Sequence, residues 1–454
     1  MTRKSGLETL KIDISNRQII KIAAPIALAM MVPQLNLIAN TVFLSQLGET
    51  ELGTAGITGV YYLVFALIGN GLNSGLQALI ARRAGENKPE EIGRLFLQSN
   101  YIALMFAAGV ILLNYCLVEL FLSSVLKSNV VLKEAVSFLE IRAWGLPFLY
   151  FFQMGNALLV GTNNSQYLKY GFIAEAVVNI YFDYALIFGK SGFPALGFNG
   201  AAYASILAEF TGAVVVFAII FKKGFVNRFA LFRHKRPDGH TIKIIFNQSL
   251  PLVMQFVLSV SAWLLFYVFI EHHGERPLAI SNTMRNIFAL FGIFTWSYAN
   301  TTNMMVSNII GQGRKDEVLY LIRKIAKLSL FTIITLCIVL NLFPETLLSI
   351  YGTDESFAAE AIPVIRTISV CLIMMAIAVI WLNSITGTGN TKVNLRIEIV
   401  AIVVYCIYVF IVIEKLQLSL VYAWASEFLY WFITFILAWL YMRSGKWKGK
   451  EIWK

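Results

Sequence analysis

The chain has 454 residues, of which 58% are apolar and only 14% charged, with a mean hydropathy of +0.69. Such a composition excludes a surface wetted on every side, so most of the chain faces lipid. The net charge of +11 is the ordinary result of basic loops beside anionic lipid and needs no nucleic acid.

The start, MTRKSGLETLKIDISNRQIIK, is polar and basic, without the early apolar stretch of a cleavable signal, so the first spanning helix is expected to direct insertion. Apolar runs long enough to cross a bilayer follow at 18–45, 53–81, 93–118, 133–160, 167–189, 198–222, 244–270, 278–309, 320–343, 360–386, 394–414 and 419–442. These are twelve predicted transmembrane helices in an all-α membrane protein. With the N-terminus inside, the large majority of the 37 Lys and Arg fall on that side. An even number of spans then returns the C-terminus to the same side.

The most basic segment, FKKGFVNRFALFRHKRPDGH (221–240), follows the sixth span. It reads as a membrane-surface connector (223–243) between an N-lobe (1–222) and a C-lobe (244–454). His234 and His240 in the connector, and His272 and His273 in an outer loop, read as solvated side chains. Cys116, Cys337, Cys371 and Cys406 sit in apolar runs without ligand-like spacing, as small packing residues rather than disulfide partners or metal ligands.

The halves repeat. Pro25 and Pro251, Gly48 and Gly274, Gly85 and Gly311, and Gly161 and Gly387 are each 226 residues apart. Six spans return the chain to its starting side, so the halves are parallel repeats, an arrangement of transporters that bind substrate between the halves.

Within the fifth span, YLKYGFIAEAVVNIYFDYALIF (167–188), steps of four residues put Glu175, Asn179 and Asp183 on one helical face. An acid at that depth marks a functional site by default. No nucleophile triad, metal-ligand cluster or P-loop is visible, so the chain does not read as an enzyme, and uphill transport would draw on an ion gradient.

The segments GNGLNSGLQALIARRAGENKPEEIGR (69–94), IRAWGLPF (141–148), VGTNNSQ (160–166), VVNIYFDYALIFG (177–189), FPALGFNGAAYAS (193–205) and NIIGQGRKDEV (308–318) resemble, in order and spacing, the multidrug and toxic compound extrusion (MATE) family. The resemblance implies a V-shaped pair of pseudo-symmetric six-helix lobes that exports cationic or amphipathic drugs in exchange for H⁺ or Na⁺, with no cofactor. The implied setting is a monomer spanning a bacterial inner membrane, both termini cytoplasmic.

Carried over position by position, the resemblance implies an N-lobe site of Asp183, Asn179 and Ser205, with Asn40 where many members have Asp and Asn156 at the polar fourth-span position; Glu175, on the same helical face as Asp183, and Gln34 are further candidates. Asp183, Asn179, Asn40 and Ser205 would be the oxygen ligands if the ion were Na⁺, and the missing second acid favours H⁺. Ser259 stands where a subset of members has a C-lobe Glu, which argues against a C-lobe carboxylate of that type. Pro25 is the expected helix bend. Glu209, Glu398 and Glu427 are further intramembrane acids that the resemblance leaves unassigned, and Asn40, Asn36, Asn70 and Asn73 are equally explained by interhelical hydrogen bonds. The rival function is a lipid-linked oligosaccharide flippase of the same superfamily. Such a cavity would be rich in Arg and Lys, whereas the spans here offer only Arg142, Arg285 and Arg366.

Overall fold

The computed structural model describes residues 10–126, 128–233, 235–349 and 355–453, so the basic segment 1–9, His234 and Lys454 lie outside the description. Twelve long helices account for nearly all of it. They are α1 (Asn16–Ser45), α2 (Glu49–Gly85), α3 (Pro89–Val125), α4 (Asn129–Gly161, tightened to a 3₁₀ turn at Ala143–Gly145), α5 (Leu168–Phe188) and α6 (Phe198–Lys222) in the first half. The second half holds α7 (Gly239–Glu271), α8 (Glu275–Gly311), α9 (Val318–Leu342), α10 (Glu355–Thr388), α11 (Thr391–Val409, ending in a π turn at Phe410–Lys415) and α12 (Leu420–Arg443). Most helices pack mainly within their own half, giving two six-helix bundles, while α2 and α7 pack as much across the halves as within them.

Among the described residues, eleven of these helices are long and apolar enough to cross a membrane. The exception, α8, buries Thr295, Ser297, Thr301, Thr302, Asn303, Ser307 and Asn308. Its polar groups face protein rather than lipid, as non-lipid-facing positions permit. Short connections set the ends. Ser15 caps α1 by accepting from Gln18 N at 3.1 Å, and Asp238 caps α7 by accepting from His240 N at 3.1 Å. The connector forms a short helix, Phe225–Phe229, whose Phe225 and Phe229 are buried.

The bundles meet along α2 and α8, with α1 crossing to α8 and α7 crossing to α2. This seam is two-fold pseudo-symmetric down to single atoms. Gln77 Nε2 donates to Asn300 O at 2.8 Å, and Asn303 Nδ2, 226 residues on, donates to Ser74 O at 3.0 Å. Likewise Arg82 Nε donates to Ser307 O at 3.0 Å, and Asn308 Nδ2 donates to Ala81 O at 3.1 Å. The repeated glycines sit where these helices cross. A Cβ on Gly85 would lie 2.0 Å from Asn308 O, and one on Gly311 2.2 Å from Arg82 O. Any larger residue would push the bundles apart.

The approaches to the seam are strapped in the same symmetric way. The extended segment before α1 docks on the second bundle, with Gln312 Nε2 donating to Ile12 O at 2.9 Å and Lys324 Nζ to Ile14 O at 2.8 Å. Its repeat mate before α7 docks on the first, with Gln98 Nε2 donating to Arg236 O at 3.0 Å. Among the described residues, every hydrogen bond between the bundles lies in the half of the molecule that carries the termini. The bundles are thus sealed against each other at that end.

Candidate ion and substrate cavity

A cavity of about 200 Å³ opens inside the first bundle between α1, α4, α5 and α6. On α1, Asn36 and Asn40 are one turn apart and both face it, a turn beyond Pro33. Pro33 has no N–H to give the Ala29 carbonyl, which loosens the helix next to these amides. Pro25, the expected bend, lies further toward the terminus in a helix that runs unbroken through both prolines. On α5, the four-residue spacing brings Glu175 and Asn179 into the lining as the sequence predicted, and α6 adds Ser205.

Asp183 is placed differently. It is one turn beyond Asn179, fully buried, and absent from the cavity lining. Both of its carboxylate oxygens lack a hydrogen-bond partner, as do Asn179 Nδ2, Asn36 Oδ1 and Asn40 Oδ1. Buried polar groups normally find partners, so this chain of orphaned atoms running from the cavity to Asp183 suits a transient guest such as a proton, water or small cation. Asn156 on α4 is buried with its Oδ1 unpartnered, and Gln34 is partly exposed; neither lines the cavity. Asn70 and Asn73 behave instead as interhelical bridges. Asn73 Nδ2 donates to Gln153 Oε1 at 2.8 Å, and Gln153 Nε2 to Asn70 Oδ1 at 3.0 Å.

The cavity floor holds an ion pair that spacing along the sequence does not reveal. Arg142 Nη1 and Nη2 donate to the two oxygens of Glu209 at 2.8 and 2.5 Å, and the guanidinium stacks 3.9 Å from the Tyr62 ring centre. Tyr62 OH adds a bond to Glu209 Oε1 at 3.3 Å. The 3₁₀ turn that follows Arg142 contains Gly145, where a Cβ would fall 2.2 Å from Glu209 Oε2. Glycine is therefore what lets the two side chains meet. With Glu209 engaged by Arg142, Glu175 is the cavity carboxylate left without a hydrogen-bond or ion-pair partner among the described residues. The lining holds two acids against one guanidinium, so its fixed charge is net negative when the acids are ionised.

The second bundle has a different centre. Ser259 Oγ donates to Glu398 Oε1 at 2.6 Å, Gln255 Nε2 to Glu398 Oε2 at 3.2 Å, and Tyr430 OH also donates to Oε1. A carboxylate does reach Ser259, but from the facing helix α11 rather than from α7 itself. Glu427 is also buried, with Tyr405 OH at 3.5 Å.

The MatE family profile matches residues 25–185 and again 251–411. The two matches carry the same 226-residue offset as the prolines and glycines and together cover most of the chain. The chain belongs to the MatE family. Among its relatives, a probable multidrug resistance protein NorM of Thermotoga maritima is 27% identical over 99% of this chain and 97% of its own length. The multidrug resistance protein MdtK of Pectobacterium atrosepticum is 22% identical over 85% of this chain and 84% of its own. The MatE fold is shared with a solved outward-facing multidrug resistance MATE family transporter of the MOP superfamily, with a TM-score of 0.88 at 19% identity, covering 99% of this chain and 100% of that one. A MOP superfamily transporter from Pyrococcus furiosus, described as having a binding pocket of reverse polarity, superposes with a TM-score of 0.87 at 19% identity over 98% of both chains. This MatE protein is accordingly a multi-pass membrane protein with the twelve-helix fold of that family.

Proposed function

We propose that this protein is a multidrug efflux antiporter that exports cationic or amphipathic compounds in exchange for protons by alternating access. The observation that carries the reading is the net acidic N-lobe cavity with an uncompensated chain of polar atoms leading to the buried carboxyl of Asp183. A buried carboxylate with no protein partner is offset by a cation or a proton. Drug cation and proton then compete for the same negative charge. In the form open away from the termini, proton uptake at Glu175 removes the cation's partner, proton uptake at Asp183 removes the negative charge behind the cavity wall, and the drug leaves. The neutral site returns through the other form, where the proton is released and a new cation enters.

The basic loops and the sealed end coincide, so the termini are cytoplasmic in this reading and the structure is the outward-open form. The protein works as a monomer in a bacterial inner membrane, since each chain contains both lobes and a complete cavity. Arg142 does not make the site basic, because Glu209 holds it; an anionic oligosaccharide-lipid would meet Glu175 unshielded.

Sodium is the second reading, favoured by the unpartnered oxygens of Asn36 and Asn40 beside Ser205 and Glu175. The test is efflux of tetraphenylphosphonium from proteoliposomes under an imposed pH gradient or an imposed Na⁺ gradient. Acceleration by the pH gradient is expected; acceleration by Na⁺ alone would replace the proton with sodium.

A further inference from the structure

The buried acid Glu398 is not used by the N-lobe mechanism, yet it is held more elaborately than Asp183. It is fully buried on α11 and takes hydrogen bonds from α7 (Ser259, Gln255) and α12 (Tyr430). Gln255 is oriented in turn by Asn394, whose Nδ2 donates to Gln255 Oε1 at 3.1 Å and to Thr386 Oγ1 at 2.9 Å. Asn394 is 2% exposed and its Oδ1 has no partner. No Lys, Arg or His pairs with Glu398 among the described residues. The titratable groups near it are Tyr430, which bonds it directly, and, around the Tyr430 ring, Tyr405 and Glu427. The charge of an ionised Glu398 therefore has dipoles around it but no counter-ion.

The repeat gives this place a meaning. Shifted back by 226 residues, Glu398 falls on Phe172 and Ser259 on Pro33, and both of these line the N-lobe cavity. Glu398 thus occupies the C-lobe equivalent of the wall of the transport cavity. Ser259 and Tyr430 are partly exposed, so the residues that hold the buried carboxyl reach the edge of the bundle.

We propose that Glu398 is a second proton-exchange site, in the C-lobe, which takes up and releases a proton during each transport cycle. It rests on the proton-exchange reading above. The hydrogen count supports both states. Ser259 Oγ lies 2.6 Å from Glu398 Oε1 and 2.8 Å from the Gln255 carbonyl, and has one hydrogen to give. With Glu398 ionised, Ser259 donates to it. When a proton from water adds to Oε1, the new O–H donates to Ser259 Oγ, and the serine hydrogen turns to the Gln255 carbonyl; loss of the proton to water reverses the sequence. Neither state strands the Ser259 hydroxyl. The hydrogen bonds donated by Ser259, Gln255 and Tyr430 hold the ionised carboxylate without a metal ion.

The experiment counts protons released when tetraphenylphosphonium binds the purified full-length protein in weakly buffered detergent, using a pH indicator across a range of starting pH. Parent, Glu398→Gln, Ser259→Ala and Asp183→Asn are compared, each first shown monodisperse. Release per bound cation in Glu398→Gln falls clearly below the parent value, and Ser259→Ala keeps the count but shifts the pH of half-maximal release. Parent-like count and pH dependence in Glu398→Gln overturn the proposal while a lowered count in Asp183→Asn leaves the N-lobe reading standing. A parent that releases no proton overturns both. If Glu398→Gln does not fold, Ser259→Ala and Tyr430→Phe, which retain the carboxylate, decide: a shifted release midpoint supports the site, and an unchanged one overturns it.

Discussion

Replacing Arg82 with methionine should unlatch the seam. Arg82 is 6% exposed and gives Nε to Ser307 O at 3.0 Å and Nη2 to Gly387 O at 3.0 Å and Thr388 O at 3.3 Å, all in the opposite bundle. In the proposed alternating-access cycle these bonds hold only while the bundles meet at the terminal end, and in the alternate form the side chain returns to water. Each hydrogen bond from a charged group contributes about 1.5–3 kcal/mol, and the two acceptors of Nη2 share one group, so about 3 kcal/mol of preference for the sealed form is at stake. Methionine keeps the apolar stem and removes the donors. At 1.4 kcal/mol per factor of ten, the population open at the terminal end should rise roughly a hundredfold. The reporter is a cysteine at Ala78, fully buried in the seam, in a background where the exposed Cys116 is serine. Alkylation by a maleimide should accelerate by about two orders of magnitude in the Arg82→Met variant. An unchanged rate in a folded variant would show that the seam bonds do not set the conformational equilibrium.

Gly311→Ala places a Cβ 2.2 Å from Arg82 O, and overpacking of about 1–3 kcal/mol should accelerate labelling at the same cysteine; unaltered labelling refutes the crossing as a gate. Arg142→Met leaves Glu209 buried without its partner, so thermal stability should fall by about 3–5 kcal/mol and recover in the Arg142→Met, Glu209→Met double variant. A double variant no better than the single one contradicts the pairing. At the outer end His272 Nδ1 lies 2.9 Å from the Glu414 carboxylate, which holds the imidazole above the usual histidine range. A raised value in the folded state means that the stabilisation is fully present below pH 6.5 and is lost as pH rises through the folded value. The melting-temperature difference between parent and Glu414→Gln should therefore be present in acid and vanish in base, and a pH-independent difference contradicts the pair.

The helices and their repeat were legible because both are written in local pattern: apolar runs of bilayer length, and prolines and glycines at one offset. Glu175 and Asn179 line one cavity because the four-residue step fixes which residues share a helical face, whereas Asn40 and Ser205, which the resemblance pointed to, line it from α1 and α6. What the pattern did not show is which helix faces lie against each other. Arg142 and Glu209 are 67 residues apart and Ser259 and Glu398 are 139 apart, so neither pair leaves a local trace. Asp183 shares a face with Asn179, yet one further turn carries it past the cavity wall, a displacement that periodicity alone does not measure. The polar half of α8 likewise became intelligible only when its groups were seen to bond α2 across the seam.

The deciding experiment is gradient-driven efflux by Asp183→Asn in proteoliposomes, measured with tetraphenylphosphonium against the parent at equal incorporation, with Glu175→Gln beside it. The amide fills the same space but exchanges no proton, so efflux driven by a pH gradient should be lost in Asp183→Asn while binding of the cation to Glu175 persists. Parent-like gradient-driven efflux in Asp183→Asn would contradict the central claim that the N-lobe carboxyl couples the ion to the drug.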